Sequence, residues 1–314
     1  MRWNRPFPRT ERRSASNGDS EHLPIVRIAL VTCRELPRPD WDLEILVGAF
    51  ASRGVTAEIV AWEDVSIEWR EYDAAIVRST WNYLAHLEAF RAWIDRVSAA
   101  TRLINSPAVL RWNLHKSYLV EFAQAGIDVV PTVLHRAGDT IDWSAHFAQF
   151  GELVVKPAVS AGSFATIRVA RGDFRSVEVH HLEHAERDLL VQPCLTSVVV
   201  HGESNLVFFA GKFSHAVHKG ARWKNDAEQS RGLVEPAADE RALADRILAH
   251  VDSLQLGEIA YARVDLARGA DGRPLLMELE VLEPSLFLDR IPARAAMLVD
   301  AVCGANCGGC GTER

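Results

Sequence analysis

Four charged residues on two neighbouring strand-like segments carry the strongest chemical signal in this chain. Residues 261–288 read YARVDLARGADGRPLLMELEVLEPSLFL, two strands around a turn. The first offers Arg263 and Asp265, the second Glu278 and Glu280, with Glu283-Pro284-Ser285 directly after. Residues i and i+2 of a strand share a face, so each pair points one way. Three carboxylates and a guanidinium facing one cleft are hard to stabilise by packing. A divalent cation and an anionic ligand would explain them.

A second set of residues has the chemistry of phosphate binding. Lysine occurs five times against thirty arginines, so most positions needing only a cation have become Arg. The remaining lysines are candidates for sites that want a compact point charge on a flexible stem. Lys156 ends the apolar run 151–157 (GELVVKP), and Lys is seldom buried without a partner. The loop after it, AVSAGSFAT, contains Ser160 and Gly162 and is small enough for backbone N–H groups to approach an anion. Together they read as a phosphate clamp, although no G-x-x-x-x-G-K-[ST] is present. The alternative is an edge-strand Lys beside an ordinary turn. Lys116, placed in the first turn of a helix expected over 113–125, is by itself an unremarkable solvated cation.

Three further stretches could touch ligands. In 189–195 (LLVQPCL), Pro193 cannot continue a central strand, so Gln192 to Leu195 form a hinge whose backbone could read an adenine edge. Arg78, Ser79 and Trp81 lie in RSTWNY at the end of a predicted strand and suit a small polar substrate. The alternative there is a turn with Trp81 on the core and Arg78 in a surface ion pair. The polar segment 220–232 suits a mobile loop over a site, entered by His215 and Lys219, or a plain surface loop. Ser285 could bind a substrate carboxylate or cap a turn.

The elements that must position these residues follow from periodicity. Strands are expected over 25–33, 55–61 and 72–79, with helices over 42–53 and 84–97. That alternation implies a parallel sheet covered by helices, with ligands beyond the carboxyl ends of the strands. A short helix follows Asn105-Ser106-Pro107. Strands are expected over 129–134, 151–157, 166–170 and 189–195, and a helix over 179–187 whose three His read as a solvated face. An antiparallel meander over 196–201, 203–210 and 212–219 turns at Gly202 and Gly211. Helices over 237–254 and 292–302 flank the charged hairpin. The fold class is therefore α/β with α+β lobes. It divides into a disordered tail (1–24), a substrate-side α/β domain (25–106), a small lobe (107–195), a metal-bearing lobe (196–302) and a Cys/Gly tail (303–314).

Composition narrows the classes. At 314 residues and 48% hydrophobic content the chain can build several packed lobes. A net charge of −7 without a basic stripe argues against nucleic acid. No apolar run approaches a membrane span, and 1–24 has no apolar signal-peptide core. The cysteine pattern points to a reducing, cytoplasmic setting. Cys303, Cys307 and Cys310 have C-x3-C-x2-C spacing that can hold an iron–sulfur cluster, but at the chain end they read as a flexible tail. A homodimer is compatible with all of this.

Lys116, Lys156 with its small-residue loop, the Gln192–Leu195 hinge, Glu203, Asp265, Glu278 and Glu280 occur in an order that resembles the ATP-grasp superfamily. This is the fold of D-alanine–D-alanine ligase, glutathione synthetase and related carboxylate–amine ligases. The resemblance spans roughly 25–302. It implies that Lys116, Lys156, Ser160 and Gly162 contact the phosphates of ATP, that Gln192 to Leu195 bind adenine, and that Glu203 binds the ribose. It further implies that Asp265, Glu278 and Glu280 hold two Mg²⁺ ions, with Mn²⁺ an alternative, and that Arg263 faces a reacting acyl phosphate. The substrate is then a small, amino-acid-like molecule, contacted by Arg78, Ser79, Trp81, Lys219 and Ser285. Most members carry Asn where this chain has Glu280, so the local charge differs. RSTWNY, NSP, W-N-x-H-K, FSHAVHK and LMELEVLEPSLFL resemble the subgroup containing the cyclo-ligase of D-cycloserine biosynthesis, which closes O-ureido-D-serine. The implied activity is ligation through an acyl phosphate with release of ADP and phosphate. A kinase on the same fold, or a non-catalytic nucleotide-binding module, is the alternative.

Overall fold

The computed structural model describes residues 27–221 and 230–304. The expected tail at 1–24, most of the 220–232 loop, and Cys307 and Cys310 lie outside the described residues.

Strands β1 (Arg27–Thr32), β2 (Thr56–Ala61), β3 (Ala74–Ser79) and β4 (Arg102–Ile104) form a parallel sheet in the order β2-β1-β3-β4. Helices α1 (Asp42–Ala51) and α2 (Leu87–Ser98) are its crossovers. β1 and β3 are near-continuous apolar runs because both faces of a parallel sheet are covered. Phe90, Trp93, Ile94 and Val97 of α2 pack on one face with Trp62 and Trp69. The sequence places β1, β2 and β3 with ends shifted by one or two residues; β4 was not expected.

Asn105 and Ser106 then turn the chain into α3 (Pro107–Asn113). Ser106 Oγ accepts from the Val109 N–H at 3.2 Å, and Pro107 occupies a position where no N–H is needed. The helix expected over 113–125 is instead broken. α3 ends at Asn113 and α4 begins afresh (Tyr118–Gln124), so Lys116 sits in the intervening turn, its N–H bonded to Ala158 O at 2.8 Å. The break follows from long-range bonds. Asn113 donates to Leu279 O at 2.8 Å and accepts from the Val281 N–H at 3.1 Å, which a continuing helix would misplace.

A second, antiparallel sheet has the order β5-β8-β6-β7, from β5 (Val133–His135), β6 (Leu153–Pro157), β7 (Ile167–Val169) and β8 (Leu189–Pro193). α5 (Trp143–Phe150) and α6 (Phe174–Glu183) bury Trp143, Phe147 and Val177 against it. Only the end of the strand expected over 129–134 pairs as β5; Val129 instead makes an isolated bridge to Leu276. α6 starts five residues before the expected 179, because Asp173 caps it by accepting from the Ser176 N–H at 3.1 Å.

Residues 196–201 are not a strand. Thr196–Val200 form the short helix α7 despite three consecutive valines. Pro193 ends the β8 pairing, and the Val198, Val199 and His201 N–H groups bond back to Leu195 and Ser197 carbonyls. Tertiary context here overrides β propensity.

The third sheet has the order β11-β10-β9-β12-β13: β9 (Glu203–Phe209), β10 (Lys212–Lys219), β11 (Ser230–Val234), β12 (Tyr261–Arg268) and β13 (Pro274–Glu280). β11 falls partly within the segment expected to be loop, pairing antiparallel with β10. α4 and α8 (Ala238–Ser253) cover one face through Leu119, Phe122, Ile247 and Val251. Val207, Phe209 and Tyr261 join β1, α1 and α9 (Ala295–Cys303) in a core shared with the first sheet. Asn105 fastens that junction. Its amide donates to Tyr261 O (2.9 Å) and Val281 O (2.7 Å) and accepts from the Ala260 N–H (2.6 Å). At about 1 kcal/mol per bond, such a buried latch fixes how the sheets meet. Among the described residues, no helix is long and apolar enough to cross a membrane.

Candidate active site

The charged hairpin has the register its sequence requires. Arg263 pairs with Glu280 and Asp265 with Glu278 across β12 and β13, so all four side chains share one face. That face lines a cavity of about 710 Å³, walled on its other sides by Lys116, Lys156, the 160–164 loop and Gln192–Leu195.

Arg263 lies at the centre of the carboxylates. Its Nε and Nη2 meet both oxygens of Asp265 at 2.8 and 2.9 Å, Nη2 also contacts Glu280, and Nη1 donates to Ser285 O at 3.1 Å. Opposite it, Lys116 Nζ donates to Ser160 O, to Ser160 Oγ at 3.2 Å and to Glu278 at 3.1 Å. One ammonium thus ties the small-residue loop to the acidic strand. Glu203 and Lys219 face each other across β9 and β10 at 3.6 Å.

The carboxylates divide by electrostatic environment. Burial pushes Asp265 up, but the Arg263 guanidinium more than offsets this and holds it below its usual range. Burial likewise acts on Glu278, and Lys116 and then Lys156 bring it down. Glu280 is pushed up to about 8 by burial, despite Arg263, with Asp265 and Glu278 adding repulsion. Burial also raises Glu283 to about 7 against the field of Lys116. On the hairpin face itself, three carboxylates (Asp265, Glu278 and Glu280) outnumber the one guanidinium of Arg263.

That surplus, and a set made only of hard oxygen donors, fits Mg²⁺. Among the described residues no three His, Cys, Asp or Glu side chains converge closely enough to hold a metal ion. The reason is visible: Asp265 and Glu280 are turned onto Arg263, and Glu278 onto Lys116. The residue types and the strand faces fit a cation; side-chain rotation must complete the site.

The 160–166 loop bends through left-handed backbone at Gly162 (φ 56°), Ser163 (φ 62°) and Ala165 (φ 48°), a geometry that points successive N–H groups to one side. Gln192 is buried, and its Nε2 donates to Thr132 Oγ1 at 2.8 Å; Gln192 to Leu195 line the cavity, with the Cys194 N–H bonded to Glu152 O at 2.9 Å.

At Gly202 a replacement would meet backbone directly. Its φ is +99°, and an added Cβ would lie 1.9 Å from Lys219 O. Gly202→Ala is expected to cost about 1–3 kcal/mol from backbone conformation alone, and more from the clash. Urea unfolding would show the loss, and nucleotide affinity would fall with it because Glu203 and Lys219 are displaced.

These comparisons with known proteins bear on the site. The N-terminal domain model of D-cycloserine synthetase DcsG matches residues 28–105. The cycloserine biosynthesis protein DcsG of Streptomyces lavendulae is 37% identical over 279 residues, covering 83% of this chain and 92% of that protein. The chain belongs to the DcsG family of ATP-grasp ligases. The crystal structure of D-cycloserine synthetase DcsG superposes with a TM-score of 0.82 at 33% identity, covering 88% of this chain and 98% of that one. A D-alanine–D-alanine ligase from Bacillus anthracis complexed with ATP shares the fold, with a TM-score of 0.59 at 14% identity, covering 88% of this chain and 96% of that one. The protein is an ATP-dependent ligase of small-molecule biosynthesis, and the kinase and non-catalytic alternatives are not favoured.

Within this ligase, the cavity wall includes every residue expected at nucleotide and metal, together with Arg263, Trp81, Lys219 and Ser285. Arg78 and Ser79 are the exceptions. Both are buried off the cavity lining, at 1% and 0% exposure. Arg78 Nη2 donates to Pro284 O at 2.7 Å and meets Asp42 at 3.4 Å, while Ser79 Oγ bonds Thr32 Oγ1 at 2.8 Å. Asp42 in turn accepts from the N–H groups of Leu286 (2.6 Å) and Leu288 (2.7 Å). Arg78 therefore fixes the segment after β13 from behind. Sequence reading missed Arg38, which lies 4.4 Å over the Trp81 ring and 3.4 Å from Ser285 Oγ, and it gave no role to Glu283. Arg38 sits in a loop with no periodicity, so no local signal marked it.

Proposed function

We propose that the enzyme activates the carboxylate of an amino-acid-like substrate as an acyl phosphate and closes it by attack of a nitrogen within the same molecule. The observation that carries this reading is the Lys116 bridge, which puts the anion-binding loop and the acidic strand against one volume. In this reading residues 107–195 and 196–302 are the two lobes that clasp ATP. The hinge at Gln192–Leu195 receives adenine, and Glu203 receives the ribose. Lys116, Lys156 and the N–H groups of the 160–164 loop hold the phosphates. Asp265, Glu278 and Glu280 would hold two Mg²⁺ ions, or Mn²⁺ in their place, once turned from Arg263 and Lys116. Such ions, when bound, neutralise charge spreading over the transferring phosphoryl group.

Arg263, freed from part of its carboxylate cage, is placed to stabilise the oxyanion that forms when nitrogen attacks the acyl carbon. Trp81 and Ser285 wall the substrate end. Enclosure by these walls keeps water from the acyl phosphate. The close relative acts in cycloserine biosynthesis, and the motif resemblance to the O-ureido-D-serine cyclo-ligase supports the same substrate class here. We place the reaction in the cytoplasm, where its ATP is found.

The test is ADP release with O-ureido-D-serine, run with and without hydroxylamine. Substrate-dependent ADP release with formation of a hydroxamate is expected. A stable phosphorylated product without ring closure would defeat the ligase chemistry, and ADP release with other amino-acid derivatives only would defeat the substrate assignment.

A further inference from the structure

Most carboxylates on the cavity wall face a cation of the protein. Asp265 and Glu280 face Arg263, Glu278 faces Lys116, and Glu203 faces Lys219. Glu283 differs. Among the described residues no Lys, Arg or His lies within ion-pair distance of its carboxylate, and Tyr83 lines the same cavity. Lys116 acts on it only through space. An ammonium has three donors, and those of Lys116 go to Ser160 O, Ser160 Oγ and Glu278.

The backbone that carries it is held in place. Tyr83 is 2% exposed and stacked on Phe90, with ring centroids 5.1 Å apart. The Glu283 carbonyl accepts from the Trp81 indole N–H at 3.2 Å, and the next carbonyl accepts from Arg78. Glu283 thus stands on a braced backbone at the cavity wall. Its neighbours there, Trp81, Tyr83 and Ser285, come from the segments after β3 and after β13, not from the sheet that includes Gln192. A carboxylate in a ligand cavity with no ion-pair partner among the described residues takes a proton or pairs with a cation, and a ligand can supply that cation.

We propose that Glu283 receives the free ammonium group of the substrate and so selects carboxylates that carry an amine. The inference rests on the ligase reading above. The probes are O-ureido-D-serine and 3-(ureidooxy)propanoate, the same chain without the amine, tested on the full-length enzyme with ATP and Mg²⁺. The wild type should prefer the amine-bearing compound in kcat/KM by at least about 30-fold, the order of one charge-assisted contact. In Glu283→Gln that preference should collapse towards one. Glu283→Asp, which keeps the charge on a shorter arm, should retain it in part. Half-saturation by ATP and by Mg²⁺ should not move.

Three results would overturn the proposal. An equal loss for both compounds in Glu283→Gln would mean a structural role. A shifted Mg²⁺ half-saturation would make Glu283 a metal ligand. A wild type that uses both compounds equally well would remove the selectivity while leaving the ligase reading intact. ADP release with neither compound would instead remove the substrate class, and this proposal with it.

Discussion

Asp265→Asn and Glu278→Gln are each expected to lower substrate-dependent ADP release by roughly 10²–10³-fold or more, the scale of losing one preorganised electrostatic contact in a closed site. Both substitutions keep shape and remove charge. In Asp265→Asn, Arg263 keeps Glu280 and the Ser285 carbonyl as partners, so the hairpin has no reason to unfold. In Glu278→Gln, Lys116 keeps both Ser160 contacts. The loss should therefore appear in turnover and in the Mg²⁺ concentration needed for half-maximal rate, with the thermal midpoint changed little. Full activity of both variants at saturating Mg²⁺ would sink the assignment of these carboxylates to metal and phosphate. Collapse of the fold instead would mean that their work is to neutralise Arg263 and Lys116.

Arg78→Ala should have the opposite signature. Arg78 is among the largest fully buried side chains, ion-paired to Asp42 and bonded to Pro284 O. Breaking a buried pair by removing one partner typically costs about 3–5 kcal/mol, because the other charge stays behind. Here Asp42 would remain buried with only the Leu286 and Leu288 N–H groups. Chemical denaturation should show a loss of that size, while the KM for substrate in the folded fraction should stay within a few-fold of wild type. A large rise in KM with stability intact would return Arg78 to the substrate site, where its place in RSTWNY had put it.

The two predictions mark where sequence was informative and where it was not. R-x-D and E-x-E have period 2, and period 2 fixes a shared face wherever a strand forms. Asp265 and Glu278 were therefore legible as partners before any register was known, and the register then set them opposite each other. Lys156 was legible because a lysine at the end of an apolar strand demands a reason. The first sheet was legible from its alternation of apolar runs and amphipathic segments.

The rest depended on contacts between distant parts of the chain. Arg78 had the same local credentials as Lys156, yet its partners, Asp42 and Pro284, are 36 and 206 positions away. The helix over 113–125 was broken by a bond from Asn113 to Leu279, 166 positions on. Thr196–Val200 carried strand propensity and became a helix, because Pro193 ended the pairing that would have extended it. Glu283 was one more acidic residue after a strand until the fold showed which carboxylates had a cation beside them among the described residues.

What the sequence determined by itself was the chemistry: which residue types, in which order, on which faces. Those follow from local periodicity and from the cost of burying charge, and both are written in consecutive residues. What only the tertiary structure decided was which charges are spent on holding the protein together and which are left for a ligand. That division is set when the three sheets close on one another. It depends on contacts between separate segments, from 36 positions apart for Arg78 and Asp42 to 206 for Arg78 and Pro284, which no local pattern encodes.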